Sequence, residues 1–340
     1  MGLTDNKIKW DHVNKHLGRT GVQAQWKAYG MPEIVDPFTS RYADVDPMPR
    51  WDIPSKLHIS VGVSGGFFSR RINPNQPITT AEIRDEAEAC IKAGAQSIDI
   101  HVRDESGFNR LNLDKFKEVI LPLKEKYPHV GFDGGLVAAS PEEGQEMEKA
   151  IKSGLFEVIP VNTSLVMCGD SQFVKPPHAY ICKAAWAMEA GCKPQIAVYT
   201  DGDIDNARRY LIDSKLVEPP FYWIILPALP GCSPMNSPMG MVDGLMRMVR
   251  LIREIDTSSV MTVCAPARAS TYLATLAMLL GLHVRAGVED TVFMYPHKDD
   301  LIPDNVTHFN LIRQIGANLG RDLMQADEFR ALVGLEARHA

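Results

Sequence analysis

The feature that most limits what this chain can fold into is a repeated alternation. From Leu57 onward, short apolar runs alternate with helix-length segments eight times. "LHISVGVSG" reads as a strand and "TTAEIRDEAEACIKAG" as a helix, with Thr79 and Glu82 at capping-box spacing and Gly94 as its stop. "SIDIHVRD" and "LDKFKEVILPLKEKY" repeat the unit. "HVGFDGG" and "SPEEGQEMEKAIKSG" repeat it again, the helix capped by Ser140, opened by Pro141 and ended by Gly154. "EVIPVN", "PQIAVYT", "FYWIILPAL", "SSVMTVCA" and "HVRAGVED" supply the other strands, each followed by a helical stretch. Near-continuous apolar strands belong to a parallel sheet covered on its faces. Eight units in about 280 residues predict an α/β fold, a (β/α)8 TIM barrel over residues 57–340. An open doubly wound sheet is the rival, but "GVSGGFFSRR" after the first strand lacks the GxGxxG of a dinucleotide site.

Residues 1–56 read as an irregular N-terminal extension. Pro32, Pro37, Pro47 and Pro49 break any long helix there. Trp10, Trp26 and Trp51 suggest an arm that packs on something, such as a neighbouring subunit, so a homo-oligomer (dimer or tetramer) is expected. The net charge is −6 and no long basic run occurs, which disfavours nucleic acid and anionic membranes as partners. "MGLTDNKIKWDHVNKH" has no apolar signal core, and no run approaches the ~20 apolar residues of a membrane span. Cys90, Cys168, Cys182, Cys192, Cys232 and Cys264 form no CxxC pair and sit in apolar surroundings. They read as free, buried thiols of a reducing cytoplasm.

In such a barrel the chemistry sits at the C-terminal strand ends. The first strand ends in Ser64, Gly65 and Gly66. The second offers Asp99, His101, Arg103 and Asp104 on "SIDIHVRD", where strand alternation sends Asp99, His101 and Arg103 to one face. The third ends in Asp133 and Gly134, and the fourth in Asn162, Thr163 and Ser164. Arg268 follows the seventh. On the eighth, Arg285, Gly287 and Glu289 share a face and Asp290 starts the loop. The second and eighth strands both flank the first, so they lie about 10 Å apart. His101 and Glu289 leaning in from either side would meet over the glycines of the first strand. With Asp99 they could share one divalent cation, which would offset the cost of burying them. The same groups could instead form a salt-bridge network with Arg103 and Arg285.

These segments resemble a known family. "HVRD" after "KAGAQ", "PEEG", "VNTSLVMCGD", "LPGCSP", "VCAPAR", "GLHVRAGVEDTVF" and "GRDLMQADEFRALVGL" fall in the order seen in the β-keto acid cleavage enzymes, from about Leu57 to Leu335. The resemblance implies a zinc-binding (β/α)8 barrel. Its reaction converts a β-keto acid and acetyl-CoA into acetoacetate and a new acyl-CoA. It implies His101 and Glu289 as metal ligands, and Arg285 with Asp290 as the catalytic pair.

The chain departs from the family pattern at several positions. Asp99 stands where the family has its first metal-binding histidine. Phe67 replaces a substrate-binding glutamate, Phe132 a serine, and Leu165 and Met167 a threonine and an asparagine. These four would make an apolar pocket wall, with Ser64 touching substrate oxygens and Arg268 serving a carboxylate or the CoA. Asp99 as a third ligand would favour manganese or cobalt relative to zinc, because oxygen donors are harder than imidazole. The rival readings are a CoA-independent metal-dependent aldolase or lyase, and a non-catalytic barrel that binds an apolar acid.

Overall fold

The computed structural model describes residues 7–24, 50–138, 143–168, 171–227, 237–264 and 266–338. The chain divides into two compact units, Met1–Asp52 and Ile53–Ala340. In the first, Trp10–Gly18 is helical, which corrects the expectation of an irregular extension at that point. The prolines that break helices begin only at Pro32, beyond this segment. Trp26 and those prolines lie outside the described residues, as do Ser140, Pro141 and Cys232.

The second unit is a closed barrel of eight parallel strands. In chain order they are Ile59–Gly62, Ser97–Ile100, Gly131–Gly134, Val158–Asn162, Lys193–Val198, Tyr222–Ile225, Val260–Cys264 and His283–Ala286. The eighth pairs with the first and the first with the second, so both neighbours of the first strand are those expected. Helices follow the strands. Thr80–Lys92 carries the Thr79/Glu82 capping box that its sequence specifies. Asp201–Ala207 runs on into a π-helical turn, Arg208–Ile212. A two-stranded hairpin, Leu165–Cys168 with Ser171–Val174, follows the fourth strand and had no counterpart in the sequence reading. Among the described residues no helix is long and apolar enough to cross a membrane.

Alternation along the strands separates two environments. Ile59, Val61, Ile98, Ile100, Phe132 and Trp223 belong to the large apolar cluster formed with the helices. The opposite face fills the barrel, where small apolar clusters around Val158 and Val260 and around Ala197 and Ile224 flank a run of polar groups. Ser60 and Ser97 each donate a hydrogen bond at 3.0 Å to Asp133 Oδ2, and Tyr222 and Thr262 bond each other at 3.1 Å. Burial lifts the Asp133 carboxyl to about 7, against the pull of the two serine hydrogen bonds. Asp99 lies one step further along, in register with Gly62 and Asp133. This polar column leads to the C-terminal mouth.

Candidate active site

Glycine makes the room in which the site assembles. A Cβ on Gly62 would lie 2.7 Å from Glu289 Oε2, and one on Gly135 would lie 2.1 Å from His101 Cδ2. At Gly65 the backbone is also left-handed, with φ +57. Glu289 therefore swings over the first strand, as the sequence suggested. His101 Nε2 and Glu289 Oε1 approach to 3.4 Å. One ligand atom each from Asp99, His101 and Glu289 lies within 4.8 Å of the others, and all three residues are buried. His101 Nδ1 bonds Asn109 Oδ1 at 2.7 Å, while Asn109 Nδ2 donates to the Val137 carbonyl. That pair of bonds places a ring hydrogen on Nδ1 and turns Nε2 toward Glu289, to which it donates when the ring is protonated.

Arg285 ties the cluster together. Its Nη1 donates to Asp99 Oδ2 at 2.6 Å, its Nε to Asp290 Oδ2 at 2.8 Å, and its Nη2 reaches Asp290 Oδ1 and, at 3.2 Å, Glu289 Oε1. Three buried carboxylates thus face one guanidinium and one imidazole. Burial pushes the Asp99 carboxyl up and Glu289 pushes it further, with Arg285 and His101 opposing. For Glu289 burial also acts upward, but Arg285 and His101 prevail and hold it down at about 2. For His101 burial acts downward, and Glu289 with Asp99 reverses it, so the imidazole ends above its usual value. Asp99 Oδ1 and Glu289 Oε2 are buried and, among the described residues, no group other than the two carboxyls themselves reaches them. Orphaned carboxylate oxygens in an anion-rich pocket are costly unless a cation completes them. One imidazole nitrogen and two carboxylates are a donor set that suits a divalent metal.

Other expected residues fall elsewhere. Arg103 does not pair with Asp99, because the strand ends at Ile100 and the alternation stops with it. Its guanidinium instead pins loops, donating to the Ser64, Phe68 and Gly107 carbonyls. Ser64 is fully buried. Its hydroxyl donates to the His101 carbonyl at 2.8 Å and accepts from the His101 amide, so it fixes the backbone of His101. Phe67 lines the cavity of about 160 Å³ that opens beside the cluster. Phe132 does not, since it faces the helices, on the side of the strand opposite Asp133. Leu165 is 72% exposed and Met167 is exposed as well, both on the hairpin and outside that lining. The apolar wall comes from Leu136, Val137, Phe173, Tyr199, Ile224 and Leu226. Arg268 is exposed, paired with Asp299 at 2.6 Å and stacked over Phe293. Cys90, Cys192 and Cys264 are buried free thiols, whereas Cys182 is exposed, contrary to expectation. Burial pushes the Cys264 thiol well up, which leaves no thiolate for catalysis.

Two residues that line the cavity had no place in the sequence reading. Asn109 lies in the turn-rich "ESGFNRLN", where no strand or helix period marks it. Lys183 lies three residues after Tyr180 in the helix Pro177–Glu189 and is buried with it. The signal for Lys183 was available: it falls on the apolar stripe of that helix with Tyr180, Ala184 and Ala187.

Comparison with known proteins places the chain in a family. The chain is 28% identical over 285 residues to the 3-keto-5-aminohexanoate cleavage enzyme of Fusobacterium nucleatum subsp. nucleatum, covering 83% of this chain and 98% of the relative. It is 23% identical over 282 residues to the 3-oxoadipate:acetyl-CoA acetyltransferase of Cupriavidus necator, covering 82% and 94%. Among solved structures, the binary complex of ObcA with oxaloacetate superposes with a TM-score of 0.66 at 17% identity, covering 77% of this chain and 68% of that one, a likeness of fold. The family model of the beta-keto acid cleavage enzymes matches residues 56–335, from the short strand before the barrel to the last helix, and the chain belongs to that family.

Proposed function

We propose that the chain exchanges the acyl part of a β-keto acid with acetyl-CoA, giving acetoacetate and a new acyl-CoA. Asp99, His101 and Glu289 would hold one divalent metal for this reaction. The observation that carries the reading is the pair of orphaned oxygens, Asp99 Oδ1 and Glu289 Oε2, buried beside the Arg285–Asp290 contact. A bound cation would supply Lewis-acid polarisation of the keto oxygen. By resemblance that cation is zinc, and the Asp99 carboxylate makes manganese or cobalt better accepted than at a two-histidine site.

The chain's own residues do the remainder. Burial works against the charge on Arg285, but Asp290 and Glu289 outweigh it, so the guanidinium stays firmly protonated. In that state it is a poor base. Its part is to stabilise negative charge as the enolate develops, from a position fixed by Asp290 and Asp99. Within the Arg285–Asp290 pair the proton acceptor is the Asp290 carboxylate. Ser64 and Asn109 hold His101 in place from its backbone and its ring. Arg268, exposed after the seventh strand, serves the CoA side. Relatives named for acetyl-CoA-linked conversions of keto acids support this choice over a CoA-independent lyase.

The test is to incubate metal-loaded protein with a panel of β-keto acids, with and without acetyl-CoA, and to assay acetoacetate and acyl-CoA. Formation of both in equal amounts, only with acetyl-CoA, is expected. Keto acid consumption that needs no CoA would overturn the assignment in favour of a lyase.

A further inference from the structure

The cavity beside the metal cluster has a second charged end. Lys183 is buried in its wall, on the helix Pro177–Glu189. Its Nζ donates to the Leu136 carbonyl at 2.6 Å, and no carboxylate forms an ion pair with it among the described residues. Leu136, Asn162 and Lys183 also line an adjoining cavity of about 370 Å³. That cavity adds Lys175 and His178, and among the described residues no aspartate or glutamate lines it. Among the described residues the acids that line the first cavity are Asp99 and Glu289, both of the metal cluster.

We propose that Lys183 binds an anionic group at the far end of the substrate, so that the preferred β-keto acid carries a second carboxylate. This rests on the function proposed above and names the substrate class of the same site. A buried ammonium satisfied by one carbonyl still has two donors to place and no neutralising partner. Burial, helped by Lys175 and only partly opposed by the Asp99 carboxylate, draws the Lys183 ammonium down to about 7, and no carboxylate among the described residues bonds it directly. A carboxylate arriving from the cavity supplies both the acceptor and the charge. The acidic cluster at one end and the cationic wall at the other fix the substrate's direction. The keto acid head goes to Asp99, His101 and Glu289, and the tail to Lys183. This adds a charged element to the apolar pocket wall expected of Phe67, Phe132, Leu165 and Met167.

Binding is the readout, because it does not need turnover. Metal-loaded protein is titrated calorimetrically with succinate, glutarate and adipate, and with butanoate, pentanoate and hexanoate. A charged hydrogen bond predicts that at one length the diacid binds roughly 10- to 100-fold tighter than the monoacid. Lys183→Met should erase that preference by weakening the diacid while leaving the monoacid unchanged. Lys183→Gln, which keeps a donor for the Leu136 carbonyl but no charge, should do the same and decides the matter if the Met variant fails to fold. The proposal is overturned if wild type shows no preference at any length, or if the preference survives in the folded variants. Failure of the cleavage reading looks different: no acetoacetate forms, while the diacid preference persists.

Discussion

Replacing Gly62 by alanine tests the packing that lets the site exist. The new methyl would lie 2.7 Å from Glu289 Oε2, 2.9 Å from its Cβ and 3.1 Å from its Cδ. Relaxed carbon contacts lie at about 3.5–4.0 Å, so Glu289 must retreat by roughly 1 Å. The strand cannot yield instead, because Gly62 is held in register with Asp99 and its carbonyl accepts the Glu289 amide. Overpacking of this kind costs about 1–3 kcal/mol. If that cost falls on the Glu289 rotamer, metal affinity drops roughly 5- to 150-fold. The assay is a chelator competition on Gly62→Ala, with Gly202→Ala as control, where the nearest atom to the new methyl is Thr200 Oγ1 at 3.7 Å. Wild-type affinity in Gly62→Ala, with an unchanged melting temperature, would refute the claim that this glycine makes room for a ligand.

Asn109→Leu removes the acceptor that orients His101, and metal affinity should fall about 10- to 100-fold by the same competition, with the fold intact in circular dichroism. Asp290→Asn should lower kcat with little change in metal content, since it frees Arg285 but leaves Asp99, His101 and Glu289; equal kcat would show that the pair is not catalytic. Asp133→Asn separates stability from pH. The folded carboxyl sits at about 7 against an ordinary 3.8, so the wild-type chain holds a proton on folding between those values. That contribution is full below about pH 4 and lost as pH rises through 7, amounting to roughly 4 kcal/mol at 1.36 kcal/mol per pKa unit. The neutral asparagine lacks this dependence, so the melting temperature of the variant should gain on wild type from pH 5 to pH 8, and parallel curves would contradict the assignment.

Much of the barrel was legible because alternation and closure are simple geometric rules. Strands of period two, separated by capped helices, place the eighth strand beside the first, and Glu289 then meets His101 over glycine. The same rules explain what was missed. Arg103 lies past the end of its strand, where alternation no longer assigns a face. Phe132 was placed in the pocket by comparison with a motif, although alternation puts it opposite Asp133. Leu165 and Met167 sit on a hairpin that a sequence of mixed polarity does not announce. Asn109 acts from a loop, and its role depends on a contact with His101 eight residues earlier that no local period encodes. Lys183 was readable as a charge on an apolar helix stripe, but its want of a carboxylate partner among the described residues required the folded wall around it.

The central claim is that Asp99, His101 and Glu289 hold a metal. Elemental analysis of purified wild type beside His101→Ala and Glu289→Gln tests it most directly. About one divalent ion per chain is expected in wild type and little in either variant, since each removes a ligand of a three-residue set. Equal metal content in all three proteins, each shown to be folded, would contradict the claim.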